Sequence, residues 1–341
     1  MNPTAVYVQT NDADANELIA FGRADDGTLF PLGRAATGGR GNGKPHLPSQ
    51  SSVALSPDGR FVLVTNAASD DVSVLSVDGP ALVSRVASGG ASPKSVAVHG
   101  SLVYVLNTEN DPGVAGFRLG EDGSPAPIAG AGGALSSPDA DPAQVAFSPD
   151  GQTLVVTERG TNGISTFAVR EDGTLDGPTA FPSAGATPYG FDFARDGALV
   201  VTEAFGGEVG AAAASSYRFD GATALRTVSS SVGNTRSEVC WAAATRDGRF
   251  VFVTNFGDGT ISSYEIGDDG SLSLRDAIAA TTVEGAKGVR DEAISRDGGF
   301  LYALDADAQR VFGYAVGEDG TLSPIGAVGG VPATVAGLAA S

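Results

Sequence analysis

Short runs of alternating apolar and polar residues recur along the whole chain, and no stretch shows the three-to-four-residue spacing of an amphipathic helix. Residues 52–88 show the unit: "SVALS", "FVLVTN", "DVSVLSV" and "ALVSRVAS". Asp-Gly pairs separate the first run from the second and the third from the fourth. An Asp-Gly between alternating runs predicts a tight hairpin, because both central residues of the favoured turn need positive φ. The unit therefore reads as four antiparallel strands.

The unit repeats. Seven Asp-Gly pairs in the second-hairpin context, with glycines at 27, 79, 123, 173, 221, 270 and 320, are 52, 44, 50, 48, 49 and 50 residues apart. The first hairpin recurs as "SPDGRFVLVTN" (56–66), "SPDGQTLVVTE" (148–158), "ARDGALVVTE" (194–203), "TRDGRFVFVTN" (245–255) and "SRDGGFLYALD" (295–305), with a shortened "HGSLVYVLN" (99–107). Third strands end on a large apolar residue: Phe21, Leu75, Phe117, Phe167, Tyr217, Tyr264 or Tyr314. A constant period near fifty with only short strands predicts an all-β, seven-bladed β-propeller of four-stranded antiparallel blades, one domain over 1–341. The first strand-like run, "AVYVQTN", matches second strands, and "TVAGLAAS" at the other end matches first strands. A C-terminal strand joining the N-terminal blade would close the ring.

The hairpins sort residues by face. Both Asp-Gly turns of a blade share one face. The loops after the second strands and between blades share the other, where a site is expected because irregular loops meet a rigid scaffold there. Two rings of side chains should converge on that face. Asn11, Asn66, Asn107, Glu158, Glu203, Asn255 and Asp305 end the second strands. Ser51-Ser52, Lys94-Ser95, Ala143-Gln144, Tyr189-Gly190, Cys240-Trp241, Arg290-Asp291 and Ala336-Gly337 open the first strands. The middles of the first strands are expected to be small or apolar.

Composition narrows the classes. The chain carries 21 basic and 40 acidic residues, a net charge of −19, which repels nucleic acid and anionic membranes. No apolar run approaches the ~20 residues of a membrane span, and the N-terminus lacks the pattern of a secretory signal, so a cytoplasmic protein is expected. A single cysteine excludes an intramolecular disulfide and a Cys-based metal cluster.

The motifs "SPDGRFVLVTNAASDDVSV", "FSPDGQTLVVTERGTN", "TPYGFDF", "VCWAAATRDGRFVFVTN" and "DGTISSYEI" resemble the seven-bladed β-propeller lactonase family, which includes 6-phosphogluconolactonases and 3-carboxymuconate cyclase-like, lactonizing enzymes. The resemblance covers essentially the whole chain and implies a small lactone, carboxylated or sugar-derived, bound at the mouth of the channel. Four family positions bear on the activity. Family members carry an Arg-His pair entering the fourth blade, where this chain has Ala143-Gln144, and histidines entering the second, where it has Gln50-Ser51-Ser52. Glu158 and Arg290 are kept. The missing histidines argue against 6-phosphogluconolactonase activity itself.

The expected chemistry follows. Glu158 and Glu203 end adjacent second strands, and a close carboxylate pair can supply a base near neutral pH; the alternative is that each caps loop amides. Arg236 and Arg290, with Lys94, are the cations for a substrate anion or oxyanion. Asn66, Asn107, Gln144 and Asn255 would orient the substrate, Tyr189 and Trp241 would wall its pocket, and His46 is a further candidate base. Cys240 reads as a small buried filler. "TGGRGNGKP" (37–45) lacks the hydroxyl and following helix of a phosphate loop. No metal or cofactor is called for. The expectation is a lactonase or lactonizing enzyme, working as a monomer; the alternative is a non-catalytic propeller that binds a small ligand or protein on the same face.

Overall fold

In the computed structural model, which describes residues 4–45 and 47–341, the hairpins assemble into seven four-stranded sheets arranged as a ring of blades. The first strands of blades 2 to 7 are Val53–Leu55, Ala91–His99, Pro142–Phe147, Pro188–Phe193, Val239–Ala244 and Val289–Ile294. Blade 1 is composite: its first strand is the C-terminal Ala336–Ala340, paired antiparallel with Ala5–Gln9 through Val6–Ala340 and Tyr7–Ala339. Apart from a three-residue 3₁₀ turn at Phe205–Gly207, no helix forms among the described residues.

The turns explain why the repeat folds as it does. In the second hairpins the Asp carboxylate accepts from the residue two places on: Asp26 Oδ1 receives Thr28 Oγ1 at 2.7 Å and Thr28 N at 3.0 Å. Those bonds hold the Asp26 carboxyl below its usual range. In the first hairpins a Ser or Thr adds a second clasp. Ser56 Oγ donates to Asp58 at 2.6 Å and accepts from Phe61 N at 2.9 Å, and Ser148, Thr245 and Ser295 repeat the arrangement.

Packing follows position within the blade. Second strands such as Phe61–Asn66 and Phe250–Asn255 are buried along their whole length, whereas the fourth strand Leu82–Ala87 is largely exposed at the outer rim. The cores lie between neighbouring blades. At the closure, Tyr302, Leu304 and Val311 of blade 7 pack on Val6, Val8, Phe21 and Leu338 of blade 1. Each buried tyrosine that ends a third strand still finds a partner for its hydroxyl on the preceding blade: Tyr264 donates to Val232 O at 2.9 Å and Tyr314 to Thr281 O at 2.8 Å. The ring is thus rigid around its axis, and only the first strands look onto the channel.

Candidate active site

The residues that end the second strands are tied into the blades. Asn66 accepts from Asn16 Nδ2 (2.9 Å) and Thr37 Oγ1 (2.8 Å), and donates to Asp71 and Ser73. Asn255 accepts from Asn234 and donates to Thr260 and Ser262; Asn107 donates to Ser88 O at 3.1 Å. Glu158 accepts from Ser136 N (3.1 Å), Thr161 Oγ1 (2.7 Å) and the hydroxyls of Ser136 and Ser165. Glu203 accepts from Gly185 N (2.7 Å), Ser231 Oγ (2.7 Å) and Ser215 Oγ. Burial raises the Glu203 carboxyl, and these donors offset part of the rise. The two glutamates share no partner, and both are fully buried. At this repeat position a polar end-group stitches the second strand to its own third strand and to the loop arriving from the preceding blade. The structure gives Glu158 and Glu203 the loop-capping arrangement.

The channel is plugged on the face expected to hold the site. Tyr189, Cys240, Trp241 and Ala143 form a buried cluster with Phe256 against it, and Trp241 lies 5.5 Å from the Tyr189 ring. The segment leading into blade 2 passes over this cluster. Trp241 Nε1 donates to Ser49 O at 3.0 Å, Ser49 Oγ donates to Lys94 O at 2.6 Å, and Gln50 spans the axis to Ala242. Gln50 donates to Ala242 O at 2.7 Å and accepts from Ala242 N at 3.1 Å. Gly190 is a glycine because a Cβ there would collide with Gln50 Oε1 and sit 2.5 Å from Cys240 O. Arg159 stacks over Tyr189 at 4.9 Å and pairs with Asp141; Arg290 stacks over Phe256 at 4.8 Å with Asp307 3.6 Å away. Arg236 is held by Asp258, and Lys94 faces Glu109 at 3.7 Å. Burial raises the thiol of Cys240, which removes its thiolate at neutral pH. Trp241 and Tyr189, expected to wall a pocket, are part of the plug. His46 lies outside the described residues.

Beneath the plug a cavity of about 470 Å³ follows the first strands towards the opposite face. Its exposed lining residues, Pro149, Arg195 and Arg246, belong to the first-hairpin turns, so it opens on the hairpin face. Three carboxyls line it: Asp192 of blade 5 and Asp291 and Glu292 of blade 7. Between them blade 6 contributes only Ala242, Ala243 and Ala244 along this stretch, and these small side chains leave the space open.

Most polar groups in this wall act as struts between the inner strands of neighbouring blades. Gln144 donates to Phe191 O at 3.0 Å and accepts from Phe191 N at 2.6 Å. Asp192 accepts from Ala244 N and Phe193 N, both at 2.8 Å. Asp291 accepts from Glu292 N at 3.0 Å and faces the amides of Ser51 and Leu338. Glu292 departs from this pattern. It is 2% exposed, and among the described residues it is the one buried carboxyl with neither oxygen hydrogen-bonded. Burial raises all three carboxyls: Asp192 against its amides and Arg246, Asp291 up to about 7, and Glu292 well above the carboxylate range, reinforced by the neighbouring Asp291 and Asp192.

Asp192 and Glu292 correct the expectation that the first-strand middles are small or apolar. A signal was present: "YGFDF" and "RDEAI" each place an acid where other blades read "SVALS" or "CWAAA".

The sequence matches the family described as "Lactonase, 7-bladed beta-propeller" over residues 15–129, 126–205 and 202–337. None of the curated proteins matches it by sequence. Among solved structures, a Bacteroides fragilis protein assigned provisionally as a 6-phosphogluconolactonase is 18% identical, with a TM-score of 0.75 and 100% and 98% of the two chains covered. The periplasmic gluconolactonase PpgL of Pseudomonas aeruginosa is 19% identical, with a TM-score of 0.73 and 99% and 98% covered. A Lactobacillus plantarum protein gives 18% identity and a TM-score of 0.77 over both whole chains. At these identities the likeness is one of fold.

Proposed function

The chain belongs to the seven-bladed β-propeller lactonase family, and from that premise we propose that it hydrolyses a small lactone inside the channel cavity, with Asp291 and Glu292 as its acid–base pair. The observation that carries this reading is the unpartnered Glu292 carboxyl beside Asp291 on the wall of a ligand-sized cavity. A buried polar group without a hydrogen bond costs a fold about 1–3 kcal/mol. Scaffolds keep such a group where a ligand completes it.

The chemistry needs one base and one acid. Near pH 7 Asp291 is partly ionised and takes a proton from water as the water adds to the lactone carbonyl. Glu292, still protonated, gives its proton to the ring oxygen as the acyl C–O bond breaks and the ring opens to a hydroxy acid. A proton then passes from Asp291 to Glu292, directly or through water, and restores the starting state. Gln144, through its two bonds to Phe191, positions the strand that carries Asp192. This assignment moves the acid–base role from Glu158 and Glu203, and the anion-holding role from Arg236 and Arg290, to the other end of the channel.

The test is a panel of sugar and aliphatic lactones followed by proton release, with thermal shift in parallel. At least one lactone should be opened by the wild type and not by D291N. Equal turnover by D291N would remove Asp291 from the reaction. Stabilisation by a lactone that is never opened would make the cavity a binding site only.

A further inference from the structure

We propose that the cavity also binds a small primary ammonium ion, of the kind an amino-polyol carries, which seats its N–H groups on Asp291 and Glu292 and so excludes the lactone. The exclusion rests on the reading of this pair as acid and base; the binding does not.

The balance of donors and acceptors carries the proposal. Among the described residues, the buried carboxyl oxygens without a hydrogen bond are Asp291 Oδ2 and both oxygens of Glu292. They belong to consecutive residues lining one cavity. A register shift between Val289 and Glu292, where this strand pairs with Phe300–Asp305, lets neighbours in sequence reach the same space. The amides of the wall are already engaged. Those of Ala244 and Phe193 serve Asp192, and that of Glu292 serves Asp291. The side-chain amides of Gln50 and Gln144 serve Ala242 O and Phe191 O. The wall thus offers acceptors and asks for donors. A primary ammonium brings three donors and no acceptor, whereas a hydroxyl brings one donor.

Charge points the same way. Asp192 acts on Glu292 from blade 5, as Asp291 does from beside it. The cations of the cavity, Arg195 and Arg246, stand at its exposed mouth, where Arg246 acts on Asp192. Tyr314, on the third strand of blade 7, also feels Glu292, but its hydroxyl is given to Thr281 O. A positive charge beside Asp291 and Glu292 offsets their repulsion and lets both ionise. The proton of Glu292, and that of any protonated Asp291, then passes to solvent. Because burial lifts Asp291 to about 7, affinity should climb as the pH rises through 7. An alkylamine stays protonated to about pH 10. Loss of the Glu292 proton also removes the acid that ring opening needs. The carboxyls form no metal-ligand set among the described residues. An ammonium needs none, since its acceptors can all lie on one wall.

The experiment is isothermal titration of the full chain with D-glucamine and D-sorbitol, which differ in one group, ammonium against hydroxyl. At pH 7.5 glucamine should bind about tenfold more tightly than sorbitol. Its affinity should drop by about tenfold at pH 5.5. Binding heats in buffers of different ionisation enthalpy should show net proton release. E292Q should erase the preference for glucamine. N,N,N-Trimethylglucammonium, with the charge and no N–H, should bind no better than sorbitol. Equal affinity for glucamine and sorbitol, no measurable binding, a preference that survives E292Q, or a trimethyl derivative as tight as glucamine would overturn the ammonium site. With any lactone the protein opens, glucamine should raise KM and leave kcat unchanged. If glucamine binds as described and no lactone is opened, the ammonium site stands and the hydrolytic reading falls. If a lactone is opened through Asp291 and glucamine does not bind, the ammonium site falls alone.

Discussion

Two pairs of buried carboxyls occupy this propeller, and they differ in what surrounds them. Glu158 and Glu203 sit at a repeat position and accept hydrogen bonds from hydroxyls and amides of their own and the preceding blade. Asp291 and Glu292 lie on a first strand. Glu292 breaks the repeat, standing where other first strands carry Val53, Val96, Val145, Phe191 or Ala242, and it has no donor at all. Burial is common to both pairs and says nothing about function. What distinguishes them is satisfaction: the first pair has been completed by the fold, whereas in the second Glu292 lacks a partner among the described residues.

That contrast can be broken most sharply at Asp291. D291N should lower turnover by ~10²–10⁴-fold, the usual worth of a positioned acid–base group, with little change in melting temperature. E158A should do the opposite. It strands several buried donors, so chemical denaturation should show a loss of about 2–4 kcal/mol, while any surviving folded protein keeps its turnover per molecule. If E158A stays stable and loses activity, the roles of the two pairs are exchanged.

A smaller effect should appear in the pH dependence of stability. Asp291 and Glu292 have raised pKa values in the fold, so the folded state binds more protons than the unfolded state once the pH exceeds ordinary carboxylate values. Stability from this source is full below about pH 4. It falls as the pH rises through about 7 for Asp291 and continues to fall beyond for Glu292. Melting curves from pH 5 to 8 should therefore slope downward, and E292Q should flatten the slope and raise the neutral-pH stability by ~1 kcal/mol. An unchanged slope would place Glu292 in contact with water or a cation. The same coupled pair should give a bell-shaped turnover profile whose rising limb lies near pH 7.

The ring of blades was legible in the sequence because each blade repeats the same turn chemistry, and the Asp-Gly and Ser-x-Asp-Gly clasps form at the expected places. The composite blade was legible from the type of strand at each end. The cavity on the hairpin face and the plug on the other were not. Both faces carry varied residues, and what closes one of them is a segment outside the repeat, Ser49-Gln50, meeting residues almost two hundred positions away. A repeat-based reading weights positions that recur. The asparagines and glutamates that end the second strands recur because the scaffold needs them, whereas Asp192 and Glu292 appear in one blade each.

The contact between Trp241 and the Ser49 carbonyl gives this protein a built-in optical gauge. Trp241 is its only tryptophan and is almost entirely shielded from solvent. All indole emission therefore reports the seal between the two ends of the channel. A compound that lodges below the seal should leave the emission maximum in place. One that threads through it should shift the emission to longer wavelength, so a fluorimeter can tell from which side a molecule has entered.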